Sequence, residues 1–213
     1  MATELKKGAS SFKFVGRASI NSSSFDEPKL NTKGNWLGLP NQNSAFAINV
    51  NRDGEDSTIY LGISGGRMAQ SNVIRVFPRN RSQNNSGKTE FLEIKFDERF
   101  DQNKIDQVSY NNIYTADINP EDGRKQFIDP IDFQAYLRDN LVNGQDVSVY
   151  GEVSYSSGKP WEENPRIYRN FNIKSVYSNA PREVTNKETN EKETIQDEET
   201  AQVTQAIIVT AES

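Results

Sequence analysis

The sequence predicts a mainly β protein, a small sheet curled towards a barrel, with one short helix and an inserted hairpin region. Three observations lead there. The stretch from Asp146 to Tyr177, DVSVYGEVSYSSGKPWEENPRIYRNFNIKSVY, holds two alternating runs around a turn-rich middle, the signature of a β-hairpin. Glycines stand inside predicted strands at Gly16 and Gly151, where a missing side chain marks a bulge or a sharp bend. A stretch of helical spacing begins just after Asp129, immediately upstream of the hairpin.

Residues 1–10 read as a flexible leader. Ser11–Ile20 alternates Phe12, Phe14 and Gly16 against Lys13, Val15 and Arg17, which predicts the first strand. Residues 21–43 form a long loop of Ser, Asn, Gly and Pro around Trp36. Ser44–Asn51 and Ser57–Ser64 follow as strands joined by RDGED, with Asp53-Gly54 as the hairpin turn. The same turn superficially fits a calcium loop, but the position that needs Glu holds Tyr60, so no calcium site is expected. Residues 65–127 read as an insertion. It contains the strand Asn72–Pro78, a polar loop ending near Lys88, the returning strand Glu90–Phe96 and a further strand within Val108–Ile118.

Asp129 suits a helix N-cap, with Pro130 at the first helical position and Asp132 near the positive end of the dipole. Ile131, Phe133, Tyr136, Leu137 and Leu141 supply the buried stripe, and Gly144 suits the stop. In the hairpin, Val147, Val149, Gly151 and Val153 share one face. Phe171, Ile173 and Val176 face inward on the return strand, with a register break near Lys174 or Ser175. Residues 181–205 are rich in Glu, Thr, Asn, Gln and Lys, a composition that buries too little apolar surface to offset chain entropy. Residues 181–213 are therefore expected to be an acidic disordered tail, and residues 11–180 the folded domain.

Composition narrows the function. The chain has 213 residues, 34% of them hydrophobic, with no cysteine and no histidine. That excludes disulfides, the usual zinc sites, Ser-His-Asp triads and imidazole acid-base chemistry. No apolar run reaches the roughly 20 residues of a membrane span, and the N-terminus lacks the apolar centre of a secretory signal. A soluble protein of the cytoplasm of the cell or host cell is expected, binding rather than catalysing, without a cofactor or metal.

Charge is unevenly spread. The net charge of −5 resides entirely in residues 181–213. Within residues 28–88 the acids are only Asp53, Glu55 and Asp56, against Lys29, Lys33, Arg52, Arg67, Arg75, Arg79, Arg81 and Lys88, and Thr58–Thr89 contains no acid at all. Such a segment reads either as a polyanion-facing surface or as arginines that keep an edge strand soluble.

A helix, a strand reading V-x-V-x-G-x-V from Val147 to Val153, and a closing strand reading F-x-I-x-x-V from Phe171 to Val176 together resemble the second half of an OB-fold. The resemblance is to the single-stranded-DNA-binding members, including those encoded by bacteriophages. It implies a five-stranded barrel in which oligonucleotides cross the second and third strands, flanked by the loop after the first strand and the last hairpin loop. Those loops hold Trp36 and Trp161, the two tryptophans of the chain. In bacterial-type relatives an acidic tail with an apolar tip docks replication proteins. The QAIIVTAES segment is similar in placement but lacks the aspartate run.

On that plan Trp36, Tyr60, Phe77 and Trp161 are candidate stacking platforms. Lys33, Arg52, Arg67, Arg75, Arg79 and Arg81 are candidate phosphate contacts. The tryptophans could equally pack as loop or lid residues, and Tyr60 and Phe77 could sit in the core. The expected function is sequence-tolerant binding of single-stranded DNA in replication or recombination, with replication proteins as partners of the tail. The alternative is a non-enzymatic β-rich structural or interaction module of a virion or assembly. A Mg²⁺-dependent nuclease has little support, because the acids cluster in turns and tail.

Overall fold

A computed structural model describes residues 3–31, 35–40, 45–80, 90–157, 159, 161, 163–164 and 166–211. Its longest element is β1 (Thr3–Ser19), which turns Phe12 and Phe14 into the core. Their rings stack at 4.6 Å, and Phe171 meets both edge-on at 5.4 and 4.9 Å, the offset and T-shaped geometries that aromatic quadrupoles favour. After β1 the chain makes a short antiparallel pair, β2 (Lys29–Leu30) and β3 (Trp36–Gly38). It then forms the hairpin β4 (Ala47–Arg52) and β5 (Glu55–Tyr60). Asp53 and Gly54 both have positive φ, 54° and 87°, as the predicted two-residue turn requires.

The segment expected as an insertion builds more than one hairpin. β6 (Gly66–Met68) pairs with β3, and β7 (Val73–Val76) pairs with β8 (Leu92–Lys95). A short helix, α1 (Gln102–Ile105), follows, capped by the Asp101 side chain. Val76, Ile94, Ile105, Val108, Ile113 and Ile128 form a second small core beneath this region. β9 (Tyr114–Asp117) and β10 (Lys125–Phe127) then join the main sheet.

Helix α2 (Pro130–Asn140) starts as its sequence dictates. The Asp129 carboxylate accepts the Ile131 N–H at 2.9 Å, Pro130 occupies the first turn, and Ile131, Phe133 and Leu137 are buried. Gly144, at φ 84°, then turns the chain into β11 (Asp146–Ser157) and β12 (Ile167–Ser178). Their register pairs Tyr150 with Ser175 but Gly151 with Ile173, so Lys174 is the extra residue of a bulge. A Cβ on Gly151 would lie 1.9 Å from the Asn172 carbonyl oxygen; only glycine permits that approach.

The main sheet is mixed and runs β10-β9-β12-β11-β1-β4-β5, with β9 and β12 parallel and the other pairs antiparallel. The expected closed five-stranded barrel is not what the strand ladder forms. β9 and β10 extend the sheet beyond β12, and among the described residues a single bridge spans from the end of β5 back to β12. There the Gly62 N–H donates to the Phe171 carbonyl at 2.9 Å, and the Ile173 N–H donates to the Gly62 carbonyl at 2.8 Å.

Two further segments differ from expectation. The leader is part of β1 from Thr3 onward. The tail forms β13 (Arg182–Thr185) and β14 (Lys192–Ile195), which pair with each other, and then β15 (Thr200–Ala211), which runs antiparallel along β1. Polar composition did not prevent order here because the attachment is made by backbone and amide groups. The side chain of Asn179, only 4% exposed, donates to the Asp197 carbonyl at 2.9 Å and accepts the Asp197 N–H at 3.1 Å. Gln196 bonds the Asn179 carbonyl at 2.9 Å, and Lys13 faces Asp197 at 4.0 Å. No helix of the described residues is long and apolar enough to cross a membrane.

Candidate nucleic-acid interface

Beside the Gly62 bridge lies a groove of about 650 Å³. One wall comes from the loop after β3 and the chain leaving β5, where the Leu39 N–H donates to the Gly65 carbonyl at 3.0 Å. Leu61, Gly62 and Ile63 are buried, while Tyr60 and Ser64 on either side of them are exposed. The other wall is the outer face of the β11–β12 hairpin, presenting Ser154, Ser156, Tyr168, Asn170 and Asn172. The Asn172 amide donates to the Ser154 hydroxyl at 3.0 Å and the Asn170 amide to the Ser156 hydroxyl at 3.2 Å, which orders this polar ladder. Among the described residues the buried Oδ1 of Asn170 has no hydrogen-bond partner.

Beyond the groove the hairpin arm carries aromatic surface. Tyr168 is 43% exposed, with the Arg166 guanidinium 5.8 Å from its ring centre, and Trp161 near the tip is 80% exposed. Tyr155 is also exposed. Arg166 and Arg169 lie on this arm, and Glu163 opposes them in charge. Such a surface offers flat rings for stacking and cations for phosphate.

The residues named from sequence divide into groups. Tyr60 is exposed at the end of β5 but does not line the groove, and Trp161 is on the arm. Neither tryptophan lines the groove itself. Trp36 stands opposite Met68 in the β3–β6 pair and, with Arg67, Ile74 and Arg75, lines a separate depression of about 470 Å³. Arg67 is committed inward: its guanidinium bonds the Asp129 carboxylate, lies 3.6 Å from Asp132 and covers the Phe96 ring at 4.6 Å. Arg75 donates to Glu93 at 2.8 Å. Phe77 stacks on Phe91 at 4.9 Å, and Arg79 covers Tyr110 at 4.4 Å. Arg52 is exposed at the β4–β5 turn, opposite Glu55, about 25–30 Å along the strand from the groove at 3.3 Å per residue. Lys33 and Arg81 lie outside the described residues.

Sequence reasoning missed the Ser154/Ser156 and Asn170/Asn172 ladder. Its signal was the unbroken polar alternation on the outward side of the hairpin. Around the site, burial pushes the Asp129 carboxyl up, reinforced by Asp132 and opposed by the Ile131 N–H and Arg67. Tyr114, whose hydroxyl reaches the Ser64 carbonyl at 3.4 Å, is raised to about 12 by burial and then by Asp129 and Glu152. Burial lowers Lys174, whose ammonium sits 4.5 Å from the Tyr114 ring centre. Comparisons with protein-family models, with curated proteins and with solved structures found no match for this chain.

Proposed function

We propose that this protein binds single-stranded DNA in a sequence-tolerant manner along the groove and the β11–β12 arm, as a strand-coating protein in replication or recombination. The observation that carries the reading is the groove itself: a polar Asn/Ser ladder beside the exposed Tyr168 ring, on the arm that also bears the exposed Trp161. Bases stack on such rings whatever their identity, at about 1–3 kcal/mol each. Supporting it is the strand order β12-β11-β1-β4-β5, with the Gly62 bridge returning to β12 and α2 preceding β11. A partly open sheet of OB type is the reading of that order we favour, and it would set this groove between its two ligand loops.

Titration with oligo-dT at low salt tests the reading. Quenching of tryptophan fluorescence together with a rise in the anisotropy of a labelled oligonucleotide is expected. Unchanged signals for both would end it. The rival, a β-rich assembly module, draws on the internal engagement of Arg67 and Arg75, and it is favoured if neither DNA nor RNA binds.

A further inference from the structure

We propose that the free edge of β15 is a self-association surface, on which a second copy of this chain adds its own β15 antiparallel to extend the sheet across a two-fold axis. β15 begins beside β4, where the Glu199 carboxylate accepts the Asn51 N–H and lies 3.9 Å from Arg17. From there it pairs with β1 alone; among the described residues no other strand takes its second edge. The twelve-residue strand therefore has one edge whose backbone donors and acceptors pair with no other strand among the described residues.

Proteins blunt such edges with short strands, lysines, prolines or covering segments. β15, TAQVTQAIIVTA, is long, contains no charged residue and no proline, and is rich in Val, Ile and Thr. Gln202, Val203, Thr204 and Gln205 are exposed.

The chemistry favours a second copy over a foreign strand. A perpendicular two-fold axis sets each residue opposite one of the same face. Like charges placed opposite each other destabilise a strand pair. Within β15 every such pairing is neutral, so the strand is complementary to itself in any register that keeps its faces matched. The acids Asp197, Glu198 and Glu199 before it and Glu212 after it disfavour registers that slide past its ends. This inference is independent of nucleic-acid binding.

The test is the oligomeric state of the full chain by sedimentation. The wild type is expected to show a monomer–dimer equilibrium that shifts with concentration. The variant Gln202→Lys/Thr204→Lys, altered only at exposed positions, is expected to sediment as monomer with an unchanged circular dichroism spectrum and melting temperature. So is Gln202→Asp/Thr204→Asp. A wild type that stays monomeric up to millimolar concentration overturns the proposal. So does a lysine variant that remains dimeric, the result expected if β15 were exchanged onto the β1 of the other copy or if dimers formed through another face.

Discussion

The Arg67 guanidinium on β6 is bonded to the Asp129 carboxylate that caps helix α2. An arginine from the acid-poor segment thus holds the element that precedes the hairpin arm, and the same carboxylate keeps its capping bond to Ile131. Asp129 is 2% exposed, so Arg67→Ala leaves a buried carboxylate without its cation. Loss of about 2–4 kcal/mol of stability is expected, read by urea unfolding. In a double-mutant cycle, Asp129→Asn combined with Arg67→Ala is expected to cost less than the sum of the two single changes.

Gly151 packs directly against the Asn172 carbonyl in the β11–β12 pair. Gly151→Ala would set a Cβ 1.9 Å from the Asn172 carbonyl oxygen and 2.7 Å from the Phe12 ring. Backbone must shift, at about 1–3 kcal/mol. A lower midpoint in urea with an unchanged slope is the expected result.

Tyr114 gives an alkaline signature. Its folded pKa, about 12, stands above the ordinary 10.0 because burial disfavours the phenolate. The folded state therefore holds this proton more tightly than the unfolded chain. Its contribution is fully present below pH 10 and is lost as pH rises through about 12. Two pH units correspond to about 2–3 kcal/mol. Tyr114→Phe is expected to flatten the decline of stability over that window. Part of the decline remains, because Tyr136, donating to Asp122 at 2.9 Å, is also raised to about 12.

Binding should map to the arm. Trp161→Ala and Tyr168→Ala are each expected to weaken oligo-dT binding by roughly 5- to 150-fold, the equivalent of one lost stacking platform. Arg52→Ala, at the remote β4–β5 turn, should leave the affinity unchanged within twofold. Anisotropy titrations at constant salt measure all three.

Salt dependence should be shallower than the arginine count of the acid-poor segment implies. Each phosphate contact to a single strand contributes about −0.7 to the slope of log affinity against log salt. Arg67 is paired internally and Arg75 faces Glu93, so a slope of about −1 to −2 is expected. Arg166→Ala should make it shallower still, by about 0.7.

Much of this was legible because local signals agreed with tertiary ones. The spacing of Phe171, Ile173 and Val176 already announced the bulge that Lys174 occupies. Asp129-Pro130 announced the first turn of α2, and Asp53-Gly54 the β4–β5 turn. What escaped depends on partners far apart in the chain. Residues 181–205 look unstructured when averaged, yet the Asn179 side chain and the edge of β1 supply bonds that the segment's own composition does not reveal. Arg67 looked available for phosphate because its acid-free neighbourhood in sequence concealed Asp129 and Asp132, which lie on another element. Asn170 and Asn172 became conspicuous only once the hairpin register set them beside Ser156 and Ser154.

The pairing of Thr3 with Ala211 has a kinetic meaning. During synthesis β1 leaves the ribosome long before β15, and the edge it offers to β15 stays unsatisfied until that strand has been translated. Contacts so distant in sequence close slowly, because loop entropy is lost before they form. The nascent protein therefore passes through a stage in which the Lys6–Val15 backbone is open to pairing with other chains, and folding yield should fall as the concentration of newly made protein rises.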